Sequence, residues 1–388
     1  MRLLHLALST LGYGETLIGV SLADQLRAAD VESHFVVTER GRGVLASSGH
    51  GHTVIDPAMG RLARLIVDDV VADFAPDALV LDDYFTFCGV LEDHFGLDPW
   101  FVEEYGRPIL PIDIWEWENT DFTIDCAPGR GFDVSKRILD FDAHLRPVPV
   151  AHVDPAGSAR GFPYRLWPRP PRRSDRNRDA LRTQLGVSAR DRLVVLTLAQ
   201  WQRGRTGSTL VADLLTSYLN ELDDRVHYVL VGAGADDFAA LPAERTHRLP
   251  QCGPDPFGEL LGAADLMVTL NVGSTSLARA VLAGLDAVVI SNSATVLDPP
   301  LYPFRMWPMG AHDFLEPLLR ANPYTDAFVS AQLLDADAVV NALEATLHDA
   351  PTRQRLAEAR TGYQATVATL PPTCEVFDQA ARLAGLTL

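Results

Sequence analysis

The chain has 388 residues, enough for two or three domains, and 47% of them are hydrophobic, which allows a sizeable core. Acidic residues outnumber basic ones by 51 to 33, giving a formal net charge of −18. This charge excludes a nucleic acid or an anionic membrane as the expected partner, because both need a basic surface.

Strand-like runs alternate with helical periodicity in the first half, which is typical of α/β proteins with mostly parallel sheets. A strand over Arg2–Leu8 is followed by a turn over Gly12–Thr16 and by an amphipathic helix over Leu17–Ala29. Later elements follow the same pattern. They are predicted strands at His34–Thr38, Thr53–Ile55, Asp77–Leu81 and Pro108–Ile114, and a helix at Gly60–Phe74.

A Pro/Arg-rich stretch over residues 162–173 interrupts the alternation, and its X–Pro steps favour extended backbone, so we predict an interdomain linker. The alternation then restarts, and from Ala336 the tail is helical. The predicted strands are Leu193–Leu198, Val226–Val231, Arg248–Gln251, Leu266–Leu270 and Ala287–Ser291, and the predicted helices are Ser208–Glu221, Asp255–Ala264 and Ser274–Ala283.

These patterns predict an α/β protein with two Rossmann-like domains that face each other across a cleft. The predicted boundaries are 1–165 for the first domain, 166–180 for the linker and 181–365 for the second domain. Residues 366–388 are predicted as a C-terminal helix that could pack back on the first domain.

No targeting or metal-binding segment is evident. The apolar run at the N-terminus is shorter than a signal-peptide core, and no run approaches the roughly 18 apolar residues of a membrane span. The four cysteines form no Cys-x-x-Cys pair, and His50 and His52 lack a third ligand, so no disulfide framework or metal site is predicted. The expected compartment is the cytoplasm.

The segment Asn271–Ser276 follows a predicted strand and opens a predicted helix. Free backbone N–H groups, the positive end of the helix dipole and the hydroxyls of Ser274, Thr275 and Ser276 converge there, and Gly273 permits close approach, which suits a diphosphate. An ordinary helix cap after a glycine turn explains the same residues equally well.

Six segments carry a resemblance to GT-B-fold glycosyltransferases. Four of them, Phe257–Leu266, Gly273–Ser276, Ala280–Leu285 and Ala287–Ile290, resemble the C-terminal donor domain of that family. The other two, Gly12–Thr16 and Leu22–Arg27, are similar to the opening of its acceptor domain. The resemblance implies an N-terminal acceptor domain, a C-terminal donor domain and nucleotide-sugar chemistry without a metal. Nucleotide-sugar epimerases and hydrolases share this fold.

Two positions depart from the family's pattern. Many members carry a histidine base after the N-terminal glycines, where this chain has Glu15; a carboxylate can replace it if burial raises its pKa. Asp113 and Asp83 are the reserve candidates for the base. Many members also place a glutamate on the donor ribose, where this chain has Arg279, which either contacts a phosphate or lies on the helix surface.

Further donor contacts are predicted from the same resemblance. It places the loop 200–209 over the donor phosphates, so Gln202 and Arg203 are candidates, and Arg203 would neutralise a leaving diphosphate. A flexible solvated loop is the alternative. Arg305 lies in an aromatic stretch where fold-mates make donor-sugar contacts, although core packing explains most of that stretch.

Acids and aromatic residues follow two predicted strands of the first half. Asp83 comes after one strand, and Asp113 opens an acid- and tryptophan-rich segment after the other. Carboxylates alternating with tryptophans suit an acceptor that carries hydroxyls or amines beside an apolar ring. An edge strand packed into the core, with solvated acids between, is equally compatible. The predicted acceptor-binding residues are Tyr13, Trp115, Glu116 and Trp117.

The leading hypothesis is a metal-independent, hexosyltransferase-like enzyme. It would move a sugar from a nucleoside-diphosphate sugar to a small-molecule acceptor such as a natural product, with no cofactor beyond that co-substrate. The alternatives are a nucleotide-sugar epimerase or hydrolase, and a non-catalytic binding or auxiliary protein of the same fold, which the missing histidine and glutamate favour. No nucleic-acid or membrane partner is expected, and a homodimer is left open.

Overall fold

The computed structural model describes residues 1–10, 12–119, 136–154, 158–168, 175–198, 210–234, 236–249, 252–291, 295–298, 302–305, 319 and 322–386. The chain divides into two compact units. One comprises Met1–Pro168 together with Thr366–Leu388, and the other comprises Arg169–Ala365. Each unit is built on its own parallel sheet.

Five strands form the sheet of the first unit: β1 (Arg2–Ala7), β2 (Glu32–Val37), β3 (Gly51–Val54), β4 (Ala78–Leu81) and β5 (Ile109–Pro111). They pair in the order β3-β2-β1-β4-β5, all in parallel. Because the chain leaves β1 toward β2 on one side and reaches β4 on the other, the topological switch point lies between β1 and β4. Open α/β sheets bind ligands at that point, beyond the carboxyl ends of the strands.

Four helices connect or flank these strands: α1 (Gly14–Leu26), α2 (Glu39–Ser48), α3 (Ala63–Phe74) and α4 (Tyr84–Val90). Helix α1 begins inside the segment predicted as a turn. Glu15 therefore lies in its first turn, where the helix dipole favours a carboxylate. Helices α2 and α4 were not predicted.

A second parallel pair adds to this unit. Strands β6 (His144–Val148) and β7 (Gly161–Arg165) pair with each other, and Leu145 bridges to Ile112 just beyond β5. The helix Thr373–Leu383 packs on β7 and α1, and Thr373 Oγ1 donates to Gln25 Oε1 at 2.6 Å. The end of the chain is thus an integral part of the first unit.

The strands of the second unit are β8 (Arg192–Thr197), β9 (Val226–Val231), β10 (Thr246–Leu249), β11 (Leu266–Thr269), β12 (Asp286–Ser291), β13 (Thr295–Asp298), β14 (Tyr302–Arg305) and β15 (Val329–Gln332). Six of them form a parallel sheet in the order β10-β9-β8-β11-β12-β15, and β13 and β14 form a separate antiparallel pair. The switch point of the six-stranded sheet lies between β8 and β11.

Helix α5 (Asp175–Gln184) begins within the segment predicted as a linker. Its Arg178 and Arg182 donate to Asp265 at 2.7 and 2.9 Å, which ties α5 to the start of β11. Within the described ranges no helix is long and apolar enough to cross a membrane. The other helices are α6 (Leu210–Leu219), α7 (Pro254–Ala263), α8 (Thr275–Leu282), Ala336–His348 and Ala350–Ala368.

Candidate functional site

Carboxylates gather at the switch point of the first sheet. Glu15 lies in the first turn of α1, after β1, and Asp82 and Asp83 follow β4 directly. The hydroxyls of Ser9 and Thr86 lie near the Glu15 carboxyl group and favour its ionised form. Thr86 Oγ1 also donates to Asp83 Oδ2 at 2.6 Å. Thr86 therefore binds Asp83 and lies near Glu15, which comes from the other side of the switch point.

Burial dominates the electrostatics of this cluster. It raises the pKa of Glu15 above its ordinary value, against the hydrogen bonds that favour the ionised form, and the nearby Asp82 raises it further. Burial and the negative charge of Glu15 raise the pKa of Asp83 to about 7. Among the described residues no cationic side chain forms an ion pair with Glu15 or Asp83.

Asp82 has a different environment from its two neighbours. It is buried beneath α1, and its Oδ1 lies 3.0 Å from Nδ1 of the fully buried His5. Burial raises the pKa of Asp82, and His5 opposes the rise. Asp82 is therefore paired inside the unit, which leaves Glu15 and Asp83 as the groups at the carboxyl edge.

The backbone at Asp83 is unusual. Its φ of 85° lies in the left-handed region, which non-glycine residues rarely adopt. The side chain caps α4, because Oδ1 accepts from the Phe85 backbone N–H at 3.3 Å. Strained backbone that is held in place by its surroundings is concentrated at functional sites.

Asp113, a reserve candidate for the base, lies in a separate buried network. Its Oδ1 accepts from the Trp117 backbone N–H at 3.0 Å, and its Oδ2 is 3.6 Å from Arg146 Nε and 3.7 Å from His144 Nδ1. Arg146 is fully buried, and Gly161 leaves room for it, since a Cβ there would lie 2.6 Å from its Nη1. Burial raises the pKa of Asp113 to about 6, although Arg146 opposes the rise.

Two of the predicted acceptor-binding residues lie inside the unit. Trp117 is fully buried and stacks on Phe85 with ring centroids 5.6 Å apart. Glu116 is also buried, and its Oε1 accepts from the His152 backbone N–H at 2.7 Å. Instead of solvated acids along an edge strand, the segment forms a turn that closes around Arg146. Tyr13 and Trp115 are partly exposed.

At the switch point of the second sheet, the loop before α8 matches the predicted position. Ser274 Oγ accepts from the Leu277 backbone N–H at 3.1 Å and so caps α8, as one of the two interpretations expects. Ser276 Oγ donates to Ser274 Oγ at 3.2 Å and lies 3.4 Å from Thr197 Oγ1 at the end of β8. Gly273 and Thr275 are partly exposed beside them.

Of the other residues considered for donor binding, the structure describes the side chain of Arg279. Gln202 and Arg203 lie outside the described residues, as does the side chain of Arg305 in β14. Arg279 Nη1 donates to the Pro254 carbonyl, so this side chain connects α8 to the first residue of α7. In the described part of the chain, no group of three or more His, Cys, Asp or Glu side chains could hold a metal ion.

The sequence profile of a family of unknown function (DUF6365) matches residues 22–301 and 298–385. No curated protein matches the sequence significantly.

Solved structures resemble nearly the whole chain. The spinosyn forosaminyltransferase SpnP is 16% identical, with a TM-score of 0.62 and 99% of each chain covered. Anabaena HepE, solved with UDP-glucose, is 16% identical, with a TM-score of 0.59 and 99% of each chain covered. A Listeria monocytogenes protein described as a UDP-N-acetylglucosamine 2-epimerase is 13% identical, with a TM-score of 0.59 and 95% of this chain and 94% of that one covered. The GT-B fold expected from the sequence is confirmed.

Proposed function

This chain belongs to the family of unknown function DUF6365, and we propose that it is a glycosyltransferase that moves a sugar from a nucleoside-diphosphate sugar to a small-molecule acceptor. The observation that carries the proposal is the Glu15 carboxyl group, which lies at the switch point of the first sheet and has a raised pKa. A general base needs these two properties, access to the ligand-binding edge and a pKa closer to neutrality.

Glu15 takes a proton from the acceptor nucleophile as that atom bonds to the anomeric carbon of the sugar. The bond from this carbon to the diphosphate breaks in the same step, and the nucleoside diphosphate leaves with the electron pair. Tyr13 and Trp115, which are partly exposed near the same edge, contact the acceptor. Glu116 and Trp117 are buried and support this edge from inside the unit.

The donor diphosphate binds at the amino end of α8. Backbone N–H groups and the hydroxyls of Thr275 and Ser276 surround that end, while Ser274 caps the helix. Gln202, Arg203 and Arg305 are further donor contacts in this proposal. The helix end and the guanidinium groups stabilise the leaving diphosphate without a metal ion, so treatment with EDTA leaves turnover unchanged.

Binding and turnover test this function in two stages. If a donor site exists, thermal-shift measurements with UDP, dTDP, GDP and CMP identify a nucleotide that stabilises the protein. A ligand that binds only the native state raises the stability of that state. Glu15→Gln then lowers turnover by at least about 100-fold, the low end for acid–base catalysis. Glu39→Gln is the matched control, because Glu39 also lies in the first turn of a helix but is exposed. Near-wild-type turnover of Glu15→Gln removes Glu15 from the role.

A nucleotide-sugar epimerase or hydrolase is the second candidate, and the likeness to the Listeria protein favours it. Incubation with a panel of nucleotide sugars and no acceptor separates the two candidates. Rapid loss or conversion of the donor under these conditions supports the second candidate. If no nucleotide stabilises the protein, the chain is instead a non-catalytic protein of the same fold.

A further inference from the structure

A histidine and a glutamate are paired at the carboxyl edge of the first unit. Glu116 follows β5, and His152 follows β6, which runs parallel to the segment just beyond β5. The Nδ1 atom of His152 lies 3.1 Å from Glu116 Oε1, and the His152 backbone N–H donates to the same oxygen at 2.7 Å. These two contacts fix the direction of the imidazole ring. Because the carboxyl ends of parallel strands meet at one edge, the pair lies where α/β proteins bind their ligands.

Glu116 is held in this position by its backbone and by a buried cation. Its φ of 52° lies in the left-handed region, and strained backbone of this kind is concentrated at functional sites. The other carboxyl oxygen, Oε2, is 3.8 Å from Nη1 of the fully buried Arg146. Burial by itself raises the pKa of Glu116, but the hydrogen bonds from His152 and the charge of Arg146 outweigh it and hold this pKa below its usual value. Glu116 is therefore a carboxylate at neutral pH.

The carboxylate decides which nitrogen of His152 carries the hydrogen. A carboxylate accepts hydrogen bonds and donates none, so the hydrogen in the contact with Glu116 belongs to Nδ1. In the neutral imidazole, Nε2 then has a lone pair and acts as an acceptor. The His152 side chain is 24% exposed, and its Nε2 makes no hydrogen bond with the residues that the structure describes. A histidine oriented by a carboxylate in this way presents Nε2 to a substrate.

We propose that Nε2 of His152 accepts a hydrogen bond from a hydroxyl group of the acceptor, and that Glu116 is the positioning residue for His152. This inference rests on the proposed function, which places the acceptor at this edge, and it adds the class of acceptor: a hydroxyl group carried on an apolar ring. Trp115 precedes Glu116 in the chain, is partly exposed and contacts that ring. A molecule of the same shape without a hydrogen-bond donor leaves Nε2 unpaired and binds more weakly.

Three fluorescent coumarins test the contact by binding to the full chain. Umbelliferone carries one phenolic hydroxyl, its methyl ether has no donor, and in the third compound an amino group replaces the hydroxyl. The wild type binds umbelliferone about tenfold more tightly than the ether, as one hydrogen bond provides. His152→Ala abolishes this preference. His348→Ala keeps it, since His348 pairs with Glu344 at an exposed site of the other unit.

The other outcomes of this experiment contradict the inference. Equal affinities for umbelliferone and its ether in the wild type, or the same preference in His152→Ala, overturn the contact with Nε2. Failure of all three compounds to bind overturns the class of acceptor. Tighter binding of the amine than of umbelliferone overturns the hydroxyl group in favour of an amine.

The part assigned to Glu116 is tested without any ligand. The ¹⁵N chemical shifts of the imidazole show which nitrogen carries the hydrogen, and in the wild type this is Nδ1 of His152. Glu116→Gln gives a mixture of the two forms, because an amide can donate as well as accept. If that variant does not fold, the wild-type shifts alone decide. A hydrogen on Nε2 in the neutral wild type overturns the inference.

Kinetics separate this inference from the proposed function. In transfer to umbelliferone, His152→Ala raises KM for this acceptor about tenfold and changes kcat little. If transfer depends on Glu15 but KM is the same in His152→Ala and the wild type, the inference fails and the proposed function stands. If the coumarins distinguish His152→Ala from the wild type but no nucleotide sugar reacts, the proposed function fails and the binding site stands.

Discussion

Gly19 of α1 lies directly over the carboxylate of Asp82, and a Cβ added at position 19 would lie 2.0 Å from Asp82 Oδ2. The helix can approach the end of β4 this closely only because position 19 has no side chain. Beneath the helix, Asp82 is only 1% exposed and contacts the buried His5.

Gly19→Ala is therefore expected to destabilise the protein, although alanine in an open helical position stabilises by up to about 1 kcal/mol relative to glycine. The carboxylate of Asp82 cannot move away without losing His5. Denaturant unfolding measures the effect. Gly262→Ala in α7 is the control, because nothing lies within 4 Å of its added Cβ. A gain in stability at both positions would contradict the close approach.

Arg146→Met leaves buried carboxylates without their cation. Arg146 lies within 4 Å of carboxylate oxygens of Asp113, Glu116 and Glu118. Removal of one partner from a buried ion pair costs about 3–5 kcal/mol. The free energy of unfolding is expected to fall by that order. The loss is smaller at pH 5 than at pH 8, because the uncompensated carboxyl groups take up protons.

Arg64→Met is the control for this prediction, since Arg64 pairs with Glu104 at a partly exposed site and contributes little. Equal losses for Arg146→Met and Arg64→Met would mean that the buried network does not stabilise the unit.

Asp83 makes the stability of the protein depend on pH. Its pKa is about 7 in the folded chain and near 3.9 in an unfolded one, so between these values the native state holds a proton that the unfolded state lacks. Stability therefore falls as the pH rises from about 4 to 7. Asp83→Asn removes this dependence, and its Tm relative to the wild type increases from pH 5 to pH 8. A constant difference in Tm, as expected for Glu39→Gln, would exclude a raised pKa at Asp83.

Substitutions at Ser274 and Ser276 distinguish a role of this loop in helix capping from a role in donor binding. Ser274→Ala removes the hydrogen bond to Leu277 and is expected to lower stability by about 1 kcal/mol. Ser276→Ala keeps the cap, so Tm changes little while KM for the donor rises several-fold. Thermal unfolding and donor kinetics on both variants measure this. An unchanged donor KM in Ser276→Ala would show that the loop only caps α8.

The positions of Glu15 and Asp83 follow from local sequence. Largely apolar runs mark the buried parallel strands β1 and β4, and the residues after such strands reach the ligand-binding edge. The hydrogen bond from Thr86 to Asp83 could not be predicted. It depends on α4, a short helix whose apolar sequence has no clear helical period.

The network around Arg146 could not be predicted from the sequence for a different reason. Its members come from the segment after β5 and from β6, which are separated by about thirty residues along the chain. They meet because Leu145 pairs beside Ile112. Strand β6 contains histidine, arginine and proline, which do not resemble a buried strand, yet every residue in it is buried. The sequence alone therefore does not indicate that Glu116 and Trp117 belong to a segment that closes around the buried Arg146.

The helix Thr373–Leu383 is the last helix of the chain, yet it packs on the first unit and buries Val376, Phe377 and Ala380. During synthesis, the surfaces of α1 and β7 that receive this helix emerge before the whole of Arg169–Ala365 has been translated. At about 5–20 residues per second, that interval lasts on the order of ten seconds or longer. The first unit is begun first and completed last, so the apolar surface that receives this helix stays uncovered throughout the delay.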